Sequence, residues 1–224
     1  VDENTASVLG GAALHPQSQM MVPGDLSSAA FWLVAGLLRG DDLTIHGVGL
    51  NPTRTGVLDV LAAMGASVEI QASDASGEPI GSLTVRRQDL RGTRLSGDLV
   101  VRAIDEIPIL AVLATQAHGR TEIRDAQELR VKECDRISTV VAMLRSMGAS
   151  VTELEDGMII DGPTPLCSAI IDTQHDHRIA MSFLVAGMRS KNGIKVRDCK
   201  NIETSFPNFA HIMNSIGMKI NEKN

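Results

Sequence analysis

Apolar residues recur along this chain in three similar blocks. In the first, Gly24-Asp25-Leu26-Ser27-Ser28 precedes an apolar run over residues 29–38 that ends at Arg39-Gly40. A polar cap, a basic last turn and a Gly stop predict a helix. Leu43-Thr44-Ile45-His46 alternates as a strand does. Asn51-Pro52-Thr53-Arg54-Thr55 opens a second helix over residues 56–64. Gly65 ends it, and residues 66–70 read as the next strand.

The second block starts at Asp105-Glu106-Ile107-Pro108, with a helix over 109–118, a stop at Gly119 and a strand over 121–124. Its second helix opens in the charged stretch Leu129-Arg130-Val131-Lys132-Glu133-Cys134-Asp135-Arg136, and ends at Met147-Gly148 before a strand at 149–152. The third block starts at His175-Asp176-His177-Arg178. A helix over 179–188, a stop at Asn192-Gly193 and a strand over 194–197 follow. Thr204-Ser205-Phe206-Pro207 opens its second helix, with Pro in the first turn, where its missing N–H costs least. That helix ends at Ile216-Gly217, and residues 218–220 read as a last strand. Further strands fall at 83–87, 157–160 and 169–171.

Met64-Gly65-Ala66-Ser67-Val68 matches Met147-Gly148-Ala149-Ser150-Val151, with Ile216-Gly217-Met218-Lys219-Ile220 as a weaker third copy. These patterns predict an α/β fold of three units, about 22–100, 101–172 and 173–224. Each reads strand–helix–strand–helix–strand–strand. The first helix of each unit is almost wholly apolar and should be buried on most sides. Residues 1–23 are mixed. Val8-Leu9-Gly10-Gly11-Ala12-Ala13 and Met20-Met21-Val22-Pro23 read as short strands or connectors, the tail of something upstream. A start at Val1, in mid-pattern, suggests a fragment boundary.

The 224 residues are 43% hydrophobic and 21% charged, enough for a sizeable core in one large or two small domains. Aromatic residues make up only 2%, so the core must be aliphatic and stacking platforms for single-stranded nucleic acid are lacking. The net charge of −6 argues against general attraction to nucleic acid or membranes. An anionic ligand must then be captured by local cations and helix ends. Three scattered cysteines, Cys134, Cys167 and Cys199, show no zinc spacing and no paired framework, which points to a reducing cytoplasm. No apolar run reaches membrane-spanning length and no signal-peptide pattern opens the chain.

Lys132 and Arg136 are spaced i, i+4, and Glu133 and Arg136 i, i+3. If the stretch is helical, all three share one face. Two cations would hold an anionic substrate while the carboxylate moves a proton. The plain alternative is a solvated face of ion pairs. Other polar groups also sit at helix starts: Asp25, Ser27, Ser28, Arg54, Asp105, Glu106, Asp176, His177 and Arg178. Helix starts carry free N–H groups and partial positive charge, so they attract acids and repel bases. Lys132, Arg136 and Arg178 all break that rule, which suggests function. Asp105 and Asp176 obey it and also read as simple caps. His175 and His177 lack ligand spacing for a metal and read as structural. Cys134 reads as a small helix residue rather than a nucleophile.

The stretches VPGDLSSAAF at 22–31, NPTRTG at 51–56, DEIPILAV at 105–112, LRVKECDR at 129–136, HDHRIAMSFLV at 175–185 and TSFPNF at 204–209 resemble the enolpyruvyl transferases. Within them they are similar to the 5-enolpyruvylshikimate-3-phosphate synthase branch, and in wording to its glyphosate-tolerant bacterial class. The resemblance implies two lobes of three βαβαββ units each. This chain would match the C-terminal lobe over 22–224, with residues 1–21 a connector or the end of the other lobe. It implies transfer of the enolpyruvyl group of phosphoenolpyruvate to the 5-hydroxyl of shikimate 3-phosphate, with phosphate released and no metal or organic cofactor. By motif, Asp105 would be the base on that hydroxyl, and Glu133 would move the proton at the methylene carbon. Lys132 would contact shikimate 3-phosphate, while Arg136 and Arg178 would hold the phosphate and carboxylate of phosphoenolpyruvate. A lysine of the family's sensitive members is replaced here by Thr204. The chain covers about half the family's length, so the partner implied is an N-terminal lobe, without which activity would be weak or absent. Three other readings stay open: half of a UDP-N-acetylglucosamine enolpyruvyl transferase, a non-catalytic half that pairs with another chain, and an unrelated anion-binding repeat domain.

Overall fold

Three helices of the chain end in the same hydrogen-bonded turn. Gly65, Gly148 and Gly217 all have left-handed φ, at 86°, 86° and 93°. Each donates its N–H to the carbonyl three residues back, and the next residue donates five back: Ala66 to Leu61, Ala149 to Leu144 and Met218 to Met213. A residue without Cβ adopts this conformation at little cost, and the paired bonds satisfy carbonyls that a helix end leaves open. The sequence repeat around these glycines is therefore a repeat of structure.

The computed structural model describes residues 5–13, 15, 21–40, 42–73 and 78–222. The first block forms α1 (Leu26–Arg39), β1 (Leu43–Gly49), α2 (Gly56–Ala63), β2 (Glu69–Ser73) and β3 (Ile80–Val85). The second, which starts at β4 rather than near residue 101 because β4 pairs with β5, forms β4 (Arg94–Leu95), α3 (Asp98–Arg102), α4 (Ile107–Ala114), β5 (Gly119–Ile123), α5 (Arg136–Ser146), β6 (Ser150–Leu154) and β7 (Gly157–Gly162). The third forms β8 (Ile170–Ile171), which was expected to close the second unit but pairs with β9 instead, then α6 (His177–Ala186), β9 (Lys195–Val196), α7 (Ile202–Ser205) and α8 (Phe209–Ser215).

One sheet plan recurs. In the first block Gly24 bridges Val48 in parallel, and β1, β3 and β2 lie side by side as antiparallel neighbours. In the second, β4 pairs in parallel with β5, and β7 and β6 follow antiparallel. In the third, β8 and β9 pair in parallel, and no further strands join them among the described residues. The strand expected at 218–220 is absent. The Asn214 side chain instead bonds both the N–H and the carbonyl of Ile220.

The nearly all-apolar helices α1, α4 and α6 pack against one another in all three pairings and form the core. All eight residues of α4 are buried. Gly56 marks a tight crossing in this packing: a Cβ there would meet the Arg102 carbonyl carbon at 2.6 Å, so α2 and α3 can approach only through a bare backbone. Of the five aromatic residues, Phe183 is buried in α6 within this aliphatic core and the other four gather in one cluster. Phe31 and Trp32 of α1 meet Phe206 and Phe209 from the end of the chain, with ring centroids 5.4–6.0 Å apart.

Several elements differ from expectation. The helix expected at 109–118 runs Ile107–Ala114, with a 3-10 turn over Ile104–Glu106 before it. The short helix α3 was not expected. The helix expected to open at Thr204 is split into α7 and α8, and Pro207 lies between them rather than in a first turn. Residues 8–13 form no strand, and Val8 and Leu9 are almost fully exposed. Met20 lies outside the described residues.

The aromatic cluster gives a direct stability test. Phe209→Ala should remove about 3–5 kcal/mol, as for other buried Phe truncations. Urea unfolding followed by fluorescence of Trp32 should show one cooperative transition in the parent chain and an earlier midpoint in the variant. An unmoved midpoint would contradict the packing described.

Candidate active site

The charged stretch does not continue the helix. Residues 127–131 form a 3-10 turn, Lys132 is extended, and α5 begins only at Arg136, capped by Asp135 accepting from the Ser138 N–H. Lys132, Glu133 and Arg136 therefore do not share a helix face, and Cys134 is not a helix residue. A clamp holds the turn in place. Arg130 donates to Asp135 at 2.7 Å, to Glu153 at 3.1 Å, and to the carbonyls of Leu154 and Glu155 at 2.7 Å each. Tertiary bonds thus override the i, i+4 spacing.

The side chains nevertheless converge, and they do so around Arg136. Its side chain is 1% exposed. Nε donates to Asp176 Oδ2 at 2.7 Å, Nη1 to Asp105 Oδ1 at 3.3 Å and Nη2 to Glu133 Oε2 at 2.6 Å. Each guanidinium nitrogen meets one carboxylate, from three segments far apart in the chain. Asp176 is itself fully buried as the cap of α6. Its Oδ1 accepts the N–H groups of Arg178 and Ile179 while Oδ2 faces Arg136. The simple-cap reading of Asp176 holds, with an ion pair added. Asp105 caps nothing. It sits in the 3-10 turn before α4, ringed by Arg136, by Lys132 Nζ at 3.9 Å and by Arg178 Nη2 at 3.6 Å.

Around this centre, His177 Nδ1 lies 3.7 Å from Glu133 Oε1. Burial is the main reason that its pKa is lowered, so the neutral ring is favoured. His175 is exposed and takes no part. Cys134 Sγ is 3.7 Å from Thr139 Oγ1 and 3.9 Å from Asp176, and burial pushes the thiol up, away from nucleophilic use. Glu133 is the most exposed carboxylate of the cluster, at 45%, and so the freest to turn. Two further residues belong here, both noted above at helix starts but given no role there. Glu106 is buried behind Arg178, and Arg54 donates to Ser27 Oγ at 2.9 Å. A signal was present: Glu106 is the one acid embedded in the apolar run from Ala103 to Ala114 once Asp105 is set aside. Arrayed this way, three cations and two acids can grip a small polyanion and move protons at two different atoms.

The family model for EPSP synthase (3-phosphoshikimate 1-carboxyvinyltransferase) matches residues 1–213. A protein named 3-phosphoshikimate 1-carboxyvinyltransferase from Geobacter sulfurreducens is 50% identical over 220 residues, covering 97% of this chain and 51% of that protein. One of the same name from Thermosynechococcus vestitus is 48% identical over 219 residues, covering 96% and 50%. The solved EPSP synthase from Acinetobacter baumannii superposes with a TM-score of 0.87 at 40% identity, covering 91% of this chain and 48% of that one. The enolpyruvyl transferase NikO from Streptomyces tendae, at 22% identity and a TM-score of 0.73, shares the fold. This chain spans about half the length of the curated relatives it matches.

Two measurements check this geometry. Asp176→Asn leaves Arg136 buried without its closest fully buried counter-charge, and should cost about 3–5 kcal/mol in chemical denaturation. A cost under 1 kcal/mol would show that the pair is not held as described. Separately, His177 has a folded pKa below its ordinary 6.5, so between the two values the unfolded chain binds more protons. Its contribution to stability is present above about pH 6.5 and is lost as pH falls through the folded value. His177→Gln should flatten the acid slope of stability below pH 6.5, and an NMR titration of the ring should give a midpoint below 6.5.

Proposed function

Because this chain belongs to the EPSP synthase (3-phosphoshikimate 1-carboxyvinyltransferase) family, we propose that it is the C-terminal half of an enzyme joining phosphoenolpyruvate to shikimate 3-phosphate. The observation that carries the reading is the single buried guanidinium of Arg136, bonded to both Asp105 and Glu133. It sets a base and an acid on opposite edges of one rigid fork.

In this reading Asp105 takes the proton of the 5-hydroxyl as its oxygen attacks the central carbon of phosphoenolpyruvate. Glu133 delivers a proton to the methylene carbon, which gives a tetrahedral intermediate with both substrates attached. Elimination then reverses the second step. Glu133 removes a methyl proton, the bond from the central carbon to the phosphate oxygen breaks, and phosphate leaves. Lys132 lies beside Asp105 and would contact shikimate 3-phosphate near the reacting hydroxyl. Arg136 and Arg178 would hold the phosphate and carboxylate of phosphoenolpyruvate. Their present partners are carboxylates, so substrate anions would replace acid oxygens on the same donors, with Glu133 turning outward first.

The names of the relatives favour the shikimate acceptor over UDP-N-acetylglucosamine. Residues 1–21 would serve as the connector to an N-terminal lobe, and residues 22–224 as the C-terminal lobe. Among the described residues the third sheet has two strands where the others have three and four, which is in keeping with a lobe that needs more chain for completion.

The chain alone should therefore release little or no phosphate from the two substrates. Completed with the N-terminal half of the Geobacter sulfurreducens relative, it should turn over. In the completed enzyme Glu133→Gln should lower kcat by about 10²–10⁴, the range for a lost general acid–base group, with both substrates still bound. Turnover by the unaccompanied chain, or an unchanged kcat in the variant, would sink the proposal.

A further inference from the structure

Glu106 is a buried carboxylate near the site for which the chemistry above has no use. It is 4% exposed, and its Oε1 has no hydrogen-bond partner among the described residues. An acceptor buried and left idle costs free energy, so a native structure that keeps one invites an explanation. The nearest cation is Arg178, whose Nη1 stands 3.9 Å from that oxygen. The same guanidinium reaches the Asp105 carbonyl at 3.4 Å through Nη1, and the Asp105 carboxylate at 3.6 Å through Nη2. On the other side, the Ser27 hydroxyl of α1 accepts from Arg54 at 2.9 Å and is close enough to Glu106 to help hold its pKa down. A continuous row results: Arg54, Ser27, Glu106, Arg178, Asp105. It includes residues from all three blocks and returns to the second at Asp105.

We propose that Glu106 is a positioning residue, whose buried carboxylate orients the Arg178 guanidinium for the anionic substrate. The inference rests on the function proposed above. A guanidinium is a planar fork, so fixing one edge fixes where the other points. Movement of Arg178 by about 1 Å would turn the 3.9 Å contact into a hydrogen bond and satisfy the idle oxygen.

Charge on Glu106 is the sensitive element. The groups that face it are Arg178 from α6, Asp105 from its own turn, Arg54 from the segment before α2, and Ser27 from α1. Burial raises its pKa above the ordinary 4.5, more than Ser27 and the cations lower it. As pH falls through that raised value the carboxylate is neutralised and Arg178 loses its fixed edge. The grip on substrate should weaken while the chemistry at Asp105 and Glu133 continues.

The test uses the chain completed with the N-terminal half of the Geobacter sulfurreducens relative. Glu106→Gln keeps the size and removes the charge. It should raise KM for phosphoenolpyruvate about tenfold with kcat changed less than about threefold, the pattern of lost binding rather than lost chemistry. In the parent, KM should rise on the acid side at a pH above 4.5. That limb should be missing in the variant, where KM is high throughout. A merely structural role would lower thermal stability and leave KM and its pH profile unmoved, which would overturn the proposal. Ser27→Ala perturbs the carboxyl from its other side and should raise KM in the same sense, so it decides the matter if Glu106→Gln fails to fold. One readout needs no turnover. In the 224-residue chain the Nε–H resonance of Arg178 should be sharp and slow to exchange, and should broaden in both variants. If the completed parent enzyme is inactive, the functional reading fails, and the Arg178 resonance still decides the positioning role.

Discussion

A guanidinium withdrawn from water needs a charged partner on each edge that faces inward. Arg136 is the largest fully buried side chain described, and it finds three such partners. They come from the turn before α4, the turn before α5 and the cap of α6. No two lie on the same element, so the second and third blocks must dock in one arrangement for the charge to be tolerated. A pair of this kind adds little net stability over an apolar substitute, but a broken one is costly. Its effect is to make wrong packings expensive, and at the same point in space it delivers two acids to one rim.

The three blocks supply the framework for that meeting. Identical glycine-capped turns end α2, α5 and α8, and the same parallel-then-antiparallel strand plan appears in full twice. A repeated unit that starts its helices on one side of the core brings several helix beginnings near each other without special contacts. The charged residues then exploit positions that the repeat already provides. Arg178 and Arg136 sit at the first turns of α6 and α5, where cations are disfavoured by the helix and tolerated only because acids surround them.

Much of this was legible in the chain. The apolar runs located α1, α4 and α6, and the glycines located the ends of α2, α5 and α8. Both signals depend on local physics: burial of a continuous face, and a backbone angle that only glycine adopts cheaply. The convergence of Asp105, Glu133, Arg136 and Arg178 was expected as well, though for Lys132 and Glu133 the stated geometry was wrong. A helix face was inferred from spacing, whereas Arg130, anchored on the β6–β7 hairpin, holds those residues in a turn. Spacing cannot register a bond to a distant strand. The burial of Glu106 escaped for the same reason, because Ser27 and Arg178 reach it from other blocks. The last strand failed because alternation at Met218-Lys219-Ile220 suits a strand only if a neighbour is present, and Asn214 satisfies that backbone instead.

The aromatic cluster has a topological meaning. Repeat proteins of the solenoid kind are open arrays: each module touches only the next, and the outermost ones face solvent. Here the first and last modules touch as well, with Phe31 and Trp32 stitched to Phe206 and Phe209, and the central helices meet pairwise. The array is closed into a triangle and has no outermost member. A module could not be deleted or added as it can in a solenoid, because any change in number would open the ring and expose the interior of those that remained.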